Sequence, residues 1–294
     1  MSWRRAAGDF GRLHPSETRI PLDEVRGWEV AGGQVVVRTL EGDFRGSRLA
    51  ASGQGRVNTG FGMVAVEPAA VRRIALISPR TLLREARAVF TFSHGAADTS
   101  GHETHGTLEH GASTAADPQR GEVLRLDGQD DRVSLGNAEA LQITGSLTIA
   151  MWIRPDRLEK RVNPYGKAYG GEGTITLEPN GTINFYYGTA GSNSTPYQGF
   201  TTQRAISAGR WTHIAIVRDA ERSTLSWYID GRLDQRLPMS YPTAVASTLS
   251  ASLGDDYVEP LPGCLDDVVI LARALDPAEI EQLTRVDLGA FDRP

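Results

Sequence analysis

GEVLRLDGQDDRVSLGNAEALQITGSLTIAMWIRP, residues Gly121 to Pro155, decides the fold. Its apolar residues recur at strand spacing, in runs separated by turns. Val123, Leu124 and Leu126 lead to Asp127-Gly128. Val133 and Leu135 follow the acidic turn and end at Gly136-Asn137. Leu147, Ile149, Met151 and Ile153 then mark a longer run at period two. Successive side chains of a strand point to opposite faces, so such a run buries one face of a sheet. Asp-Gly and Gly-Asn between the runs are tight-turn residues, which makes the strands antiparallel.

Segments on either side extend the pattern. Upstream stands AVFTFSHGAADTSGHETHGTLEHGA, residues 88–112, with an Asp-x-Ser-Gly loop at Asp98. Downstream stand GRWTHIAIVRD (209–219), TLSWYIDGRL (224–233) and GCLDDVVILARALDPAEIEQL (263–283). Taken in this order, the segments resemble the laminin-G-like branch of the concanavalin A-like lectin/glucanase superfamily, in the version found in bacterial surface proteins. The resemblance covers about residues 86–288. It implies a two-sheet antiparallel jelly-roll sandwich, and no single activity, because this architecture hosts lectins, hydrolases, adhesion modules and spacers.

The 294 residues allow one large sandwich and a smaller domain. A net charge of −5 gives no footprint for nucleic acid. Cys264 is the sole cysteine, so there is no intrachain disulfide and no cysteine-built zinc site. No apolar run approaches the ~20 residues of a membrane helix. Met1-Ser2-Trp3-Arg4-Arg5 is not followed by the apolar core of a signal peptide. The family is usually exported, so an extracellular, cell-surface or periplasmic location is expected, with this chain either a mature or trimmed form or an intracellular exception.

Toward the N-terminus, short strand signals follow an irregular lead-in over residues 1–19. They cover 20–30, 34–40, 43–50, 56–59, 63–66 and 71–77, with glycine-rich turns between. This spacing predicts a small β-barrel or β-roll domain over 20–78, a connector over 79–86 and the jelly roll over 87–290. Residues 81–87 read as a short helical connector capped by Thr81. The pattern Ile20-x4-Val25-Arg26-x-Trp28 recurs as Val66-x4-Val71-Arg72-x-Ile74. If that echo is a repeat, the natural chain extends upstream. The segment also resembles small β-domains that precede laminin-G-like modules in bacterial surface proteins.

Catalysis has little to stand on. Hydrolases of the superfamily place carboxylates on alternate residues of one strand. No Glu-x-Asp-x-Glu strand is present, and no Gly-x-Ser-x-Gly elbow. The chain is therefore expected not to be an enzyme. The resemblance implies a Ca²⁺ at the sandwich edge, the one cofactor expected. Asp98 and Asp267 stand at its ligand positions, while Ser93 replaces the usual first-strand aspartate. Asp266 is expected on the opposite face from Asp267. The competing reading has both aspartates capping turns. His94, His102, His105 and His110 read as a solvated loop rather than a metal site.

Aromatic rings in loops are what remains for recognition. Trp152, Trp211 and Trp227 stand at family core positions. Tyr165, Tyr169, Tyr197 and Tyr257, with Asn193 and Asp255, fall in the loop stretches 159–173, 189–199 and 254–262. They form the expected ligand-binding rim. The functional expectation is a surface-associated binding or adhesion module for a glycan or surface protein. The alternative is a structural subunit of an extracellular assembly that self-associates into an oligomer or filament through the N-terminal β-domain.

Overall fold

Residues 147–155 form a nine-residue strand that places Ile149, Met151 and Ile153 in the core and Trp152 and Arg154 on the other side. Residues 132–136 show the same period-two burial. The structure is a computed structural model. It describes residues 86–286 throughout, with Leu82, Leu83, Leu288 and Gly289 beside them. Otherwise it describes only backbone, that of the remaining residues of a 3-10 turn over Leu288–Phe291 and of strands toward the N-terminus. The chain divides into two compact units, Met1–Leu82 and Leu83–Pro294.

The first unit contains β1 (Trp3–Arg5), β2 (Val25–Ala31), β3 (Gln34–Thr39), β4 (Gly42–Ser47), β5 (Gly55–Thr59), β6 (Gly62–Val66) and β7 (Arg73–Ile74). Five of them make an antiparallel sheet in the order β1-β4-β3-β2-β7, and β5 and β6 form a hairpin. β1 lies in the stretch expected to be irregular and pairs Trp3–Arg5 with β4. The two echoed segments meet: Trp28 on β2 is the Cα partner of Ile74 on β7. Residues 20–24 and 67–72 of the echo lie outside the described residues. So does most of the connector, of which Leu82 and Leu83 are helical.

The second unit runs β8 (Ala86–Phe90), β9 (Ser93–Ala96), β10 (Thr107–Glu109), β11 (Ser113–Asp117), β12 (Gly121–Asp127), β13 (Arg132–Gly136), β14 (Leu147–Pro155) and β15 (Val162–Ala168). It continues with β16 (Gly173–Leu177), β17 (Ile183–Gly188), β18 (Tyr197–Thr201), β19 (Thr212–Asp219), β20 (Thr224–Ile229), β21 (Arg232–Pro238), β22 (Ala251–Leu253), β23 (Pro262–Leu271) and helix α1 (Pro277–Leu283). A seven-stranded antiparallel sheet is ordered β10-β13-β22-β15-β16-β17-β18. It faces an eight-stranded sheet ordered β11-β12-β23-β14-β19-β20-β21, with β8 also paired to β23. The architecture is the expected all-β two-sheet sandwich of a jelly roll.

The core lies between the sheets. Ile175, Phe185 and Phe200 come from one side, and Ile216, Trp227 and Leu265 from the other. Each such side chain contributes roughly 1.5–3 kcal/mol by leaving water. One guanidinium sits among them: Arg218 donates to the carbonyls of Ile143, Gly145 and Glu172 and lies 4.7 Å from the Tyr187 ring centre. Burial pulls its pKa down to about 10. Helix α1 starts as its sequence predicts, with Asp276 accepting from the Ala278 and Glu279 amides in a capping box and Pro277 in the first turn.

Candidate functional site

The outer face of the seven-stranded sheet carries an aromatic cluster. Ile183, Phe185 and Tyr187 of β17 enter the core, so Asn184 and Tyr186 point outward. Across the ladder, Tyr186 is paired with Gly199 of β18. A Cβ at Gly199 would lie 2.7 Å from the Tyr186 ring, so glycine is what lets the ring lie across β18. The Tyr197 ring centre is 6.0 Å from that of Tyr186 and 5.1 Å from that of Tyr169, edge to face in both pairs. Tyr169 is 5.1 Å from Tyr257. Four phenol rings therefore form one contiguous patch, with Tyr197 the most open at 43% exposed.

Arg161 fixes the patch from one side. Its guanidinium stands 5.2 Å from the Tyr186 ring centre and 5.6 Å from that of Tyr257. Nη2 donates to the Tyr257 hydroxyl at 2.9 Å, and Nε is 3.0 Å from the Glu178 carboxylate. Burial raises the Tyr257 pKa to about 12 against the opposing pull of Arg161, and burial likewise raises that of Tyr186. Both phenols are therefore neutral near pH 7. A shallow depression beside them is lined by Lys160, Arg161, Tyr257, Val258, Glu259 and Pro260.

The rim expected from the sequence is only partly a rim. Tyr165 is not in a loop. It lies on β15, points into the core and is 3% exposed. The stretch 159–173 contains this strand because Pro164, Gly166 and Lys167 interrupt an inward pattern of Val162 and Tyr165 without ending the pairing to β16 and β22. Tyr169, Tyr197 and Tyr257 do come together, as described. Asn193 is partly exposed and tied to Tyr169: its Oδ1 accepts from the Tyr169 amide and its carbonyl from the Tyr169 hydroxyl. Asp255 is half-buried beside Asp256, and its carbonyl is held by the Ser252 hydroxyl. The sequence reading missed Tyr186 and Arg161. Alternation about Phe185 was the signal for Tyr186; nothing local marked Arg161.

The two aspartates expected at a calcium ion have other occupations. Asp98 accepts from the amides of Val89, Ser100 and Thr104 at 2.8–3.0 Å, and from the Ser100 hydroxyl at 2.8 Å. Asp267 Oδ2 is 2.5 Å from Nη2 of Arg120, while Asp266 Oδ2 is 2.7 Å from Nε of the same guanidinium. The alternation rule had put Asp266 and Asp267 on opposite faces. A bulge overrides it: Trp152 pairs with Asp266 but Ala150 with Val269, and Asp267 has φ +46°. A guanidinium and a ring of donors sit where a shared cation would need open oxygens, so these residues do not fit a common Ca²⁺. Among the described residues the one convergent set of three ligating groups is Asp127, Asp130 and Asp131, which contains none of the four histidines. His105 Nδ1 accepts the Asp98 amide.

The tryptophans also part company. Trp227 is fully buried between the sheets. Trp211 and Trp152 instead lie on the outer face of the eight-stranded sheet with Val123 and Cys264. Arg120 stands 4.3 Å over the Trp152 ring, and Trp211 donates its Nε1 to Asp117. Alternation accounts for this, since Ile149, Met151 and Ile153 already take the inward positions of β14.

The family model of the concanavalin A-like lectin/glucanases superfamily matches residues 127–281. The chain belongs to this superfamily. Solved structures share the superfamily sandwich. Domain 4 of AbnA, a GH43 extracellular arabinanase from Geobacillus stearothermophilus, solved with arabinotriose, is 21% identical with a TM-score of 0.57, over 68% of this chain and 98% of that one. The binding domain of Paraclostridial Mosquitocidal Protein 1 is 17% identical with a TM-score of 0.57, over 69% and 52%. The binding domain of Botulinum neurotoxin DC, solved with rat synaptotagmin II, is 16% identical with a TM-score of 0.56, over 69% and 52%. The chain thus spans about half the length of these toxin domains. At such identities the likeness is one of fold. No helix among the described residues is long and apolar enough to cross a membrane.

Proposed function

We propose that this superfamily member is a non-catalytic, extracytoplasmic binding module that takes a saccharide on the outer face of its seven-stranded sheet. The patch of Tyr169, Tyr186, Tyr197 and Tyr257, braced by Arg161, carries the reading. Sugar rings present apolar C–H faces that lie on exposed aromatic rings, while neutral phenols and amides bond their hydroxyls. The patch is assembled by strand register and by Gly199, so it is pre-formed, which lowers the entropic cost of binding. Glu178 is engaged by Arg161 and by the Asn184 amide, an arrangement suited to support rather than to acid–base work. The arabinotriose bound to AbnA Domain 4 supports the ligand class.

The test is a glycan array and calorimetry on the full chain beside Tyr197→Ala and Tyr257→Ala. Binding by the wild type that drops on the order of tenfold in either variant, about 1.4 kcal/mol, is the expected result. A monomer that binds no saccharide would remove the proposal. Concentration-dependent polymers without glycan binding would favour the structural-subunit alternative.

A further inference from the structure

The depression beside the tyrosine patch has a wall that the fold holds in place. Its volume is about 730 Å³, within the range of small-molecule sites, roughly 300–1,000 Å³. Lys160, Arg161, Tyr257, Val258, Glu259 and Pro260 line it, and two of these, Arg161 and Tyr257, also belong to the patch. Asn163 of β15 is fully buried behind the wall. Its Oδ1 accepts from the Val258 amide at 3.0 Å, while its Nδ2 donates to the Ile175 carbonyl and the Thr174 hydroxyl. The Asn163 amide donates to the Glu259 carbonyl at 3.1 Å, and the Glu259 amide to the Arg161 carbonyl at 3.3 Å. The wall is therefore tied to β15 through backbone groups and Asn163, which leaves the side chains of Val258 and Glu259 to the depression.

The polar groups that meet solvent there have bonding capacity to spare. Lys160 Nζ donates to Glu259 Oε2 at 3.0 Å, and both side chains are more than half exposed. An ammonium has three donors and a carboxylate two oxygens, so two donors and Glu259 Oε1 remain. Arg161 Nη1 donates to no group among the described residues, while Nη2 and Nε hold Tyr257 and Glu178. Donors and acceptors side by side suit sugar hydroxyls, which both give and accept. Val258 and Pro260 add apolar surface for C–H faces. We infer that the depression is a second saccharide subsite, with Lys160 and Glu259 as its polar contacts, so that the ligand is an oligosaccharide lying across depression and patch rather than a single sugar. This rests on the saccharide reading of the tyrosine patch and adds to it the length class of the ligand and the residues that read it.

The two surfaces lie end to end. Tyr197, Tyr169 and Tyr257 follow one another at 5.1 Å between ring centres, and the depression begins at Tyr257. A single sugar resting on one of these rings leaves the rest uncovered. A longer chain makes the second set of contacts without repeating the translational and rotational cost of association. Affinity should therefore climb with chain length until both surfaces are filled, and then level off.

The experiment titrates the full chain with neutral pentose and hexose series, each running from the monosaccharide to the hexasaccharide. Calorimetry reads the longer members and ligand-observed NMR the weaker, shorter ones. The double variant Lys160→Ala with Glu259→Ala runs in parallel, as does Tyr197→Ala. In the wild type, affinity should rise on the order of tenfold from the monosaccharide to the longer members of the series that binds. The double variant should lose most of that rise. It should melt with the wild type, because an exposed ion pair adds little to stability. Tyr197→Ala should weaken binding at every length and keep the rise. A wild-type affinity that does not change with length overturns the inference and leaves the saccharide patch standing, a result that needs no variant to fold. A rise that the double variant keeps does the same. If the wild type binds no member of either series, both readings fall.

Discussion

Tyr169 and Asn193 hold each other at two points: the Tyr169 amide donates to Asn193 Oδ1 at 3.0 Å, and the Tyr169 hydroxyl to the Asn193 carbonyl at 2.5 Å. One residue is the central ring of the aromatic patch, and the other sits in the loop between β17 and β18. The bonds therefore couple loop position to ring position. Tyr169→Phe keeps the ring and removes one of them, a loss of about 1 kcal/mol. Saccharide affinity should fall several-fold while the melting temperature barely moves. Calorimetry and a thermal melt on the same preparation check it; unchanged affinity would mean that the loop position is set elsewhere.

Trp227 and Trp152 should separate in a denaturant titration. Trp227 fills the space between the sheets and donates to the Phe200 carbonyl. Trp227→Ala should cost about 3–5 kcal/mol. Trp152→Ala should cost clearly less, because its ring is half-buried on an outer face and its main partner is the Arg120 guanidinium. Equal losses would place Trp152 in the core after all.

How far the sequence was legible depends on how regularly each strand alternates. β14 could be read directly, since Leu147, Ile149, Met151 and Ile153 keep period two without a break. The same rule, applied strictly, would have turned Trp152 outward; family position was preferred over parity there. Tyr165 was misplaced because β15 pairs irregularly with β16, with register shifts on both sides of it. Asp266 and Asp267 were misplaced because the bulge in β23 is invisible in the residues themselves. Asp256 was unreadable for a different reason: its burial comes from Gly166, ninety residues away in sequence and in contact only after β15 and β22 pair.

Calcium should leave the second unit's stability unchanged. Four donors already satisfy Asp98, and the Arg120 guanidinium bridges Asp266 and Asp267. Melts in chelator and in excess Ca²⁺ should coincide. Asp98→Ala should destabilise in both conditions alike, because it strands the buried Val89 and Thr104 amides. A chelator-dependent melt that Asp98→Ala abolishes would restore the shared-ion site.

Asp256 makes a stability prediction independent of any ligand. Its folded-state pKa, raised by burial and by the neighbouring Asp255 charge to about 7, stands above the ordinary aspartate value of 3.8. A carboxyl raised in this way favours the folded state when protonated, so its contribution is present at low pH and is lost as pH rises toward 7. Asp256→Asn cannot ionise. Its melting temperature should match the wild type near pH 4 and exceed it by some degrees at pH 8. A variant less stable than the wild type at pH 8 would show that Asp256 is a satisfied structural carboxylate.

The last prediction concerns a buried ion pair at the end of β15. Lys167 is fully buried, with Nζ 3.3 Å from Glu172 Oε1, 2.6 Å from Asn137 Oδ1 and 2.9 Å from the Leu249 carbonyl. Burial lowers the Lys167 pKa, and the Glu172 charge opposes that shift. Glu172 in turn accepts from the Ser247 amide and hydroxyl, which pins the loop before β22. Removing one partner leaves the other charge buried and uncompensated, so Lys167→Met should cost about 3–5 kcal/mol. Replacing both, Lys167→Met with Glu172→Met, should recover part of that loss, because no bare charge remains. It should not recover all of it, because the Ser247 hydroxyl and amide lose their acceptor. Because this loop leads into β22 and so toward Tyr257, loss of the pair should also weaken saccharide binding more than a distant destabilising change such as Trp227→Ala does at the same folded fraction. A double variant no more stable than Lys167→Met would mean that the Ser247 hydrogen bonds to Glu172 outweigh the cost of leaving that carboxylate unpaired.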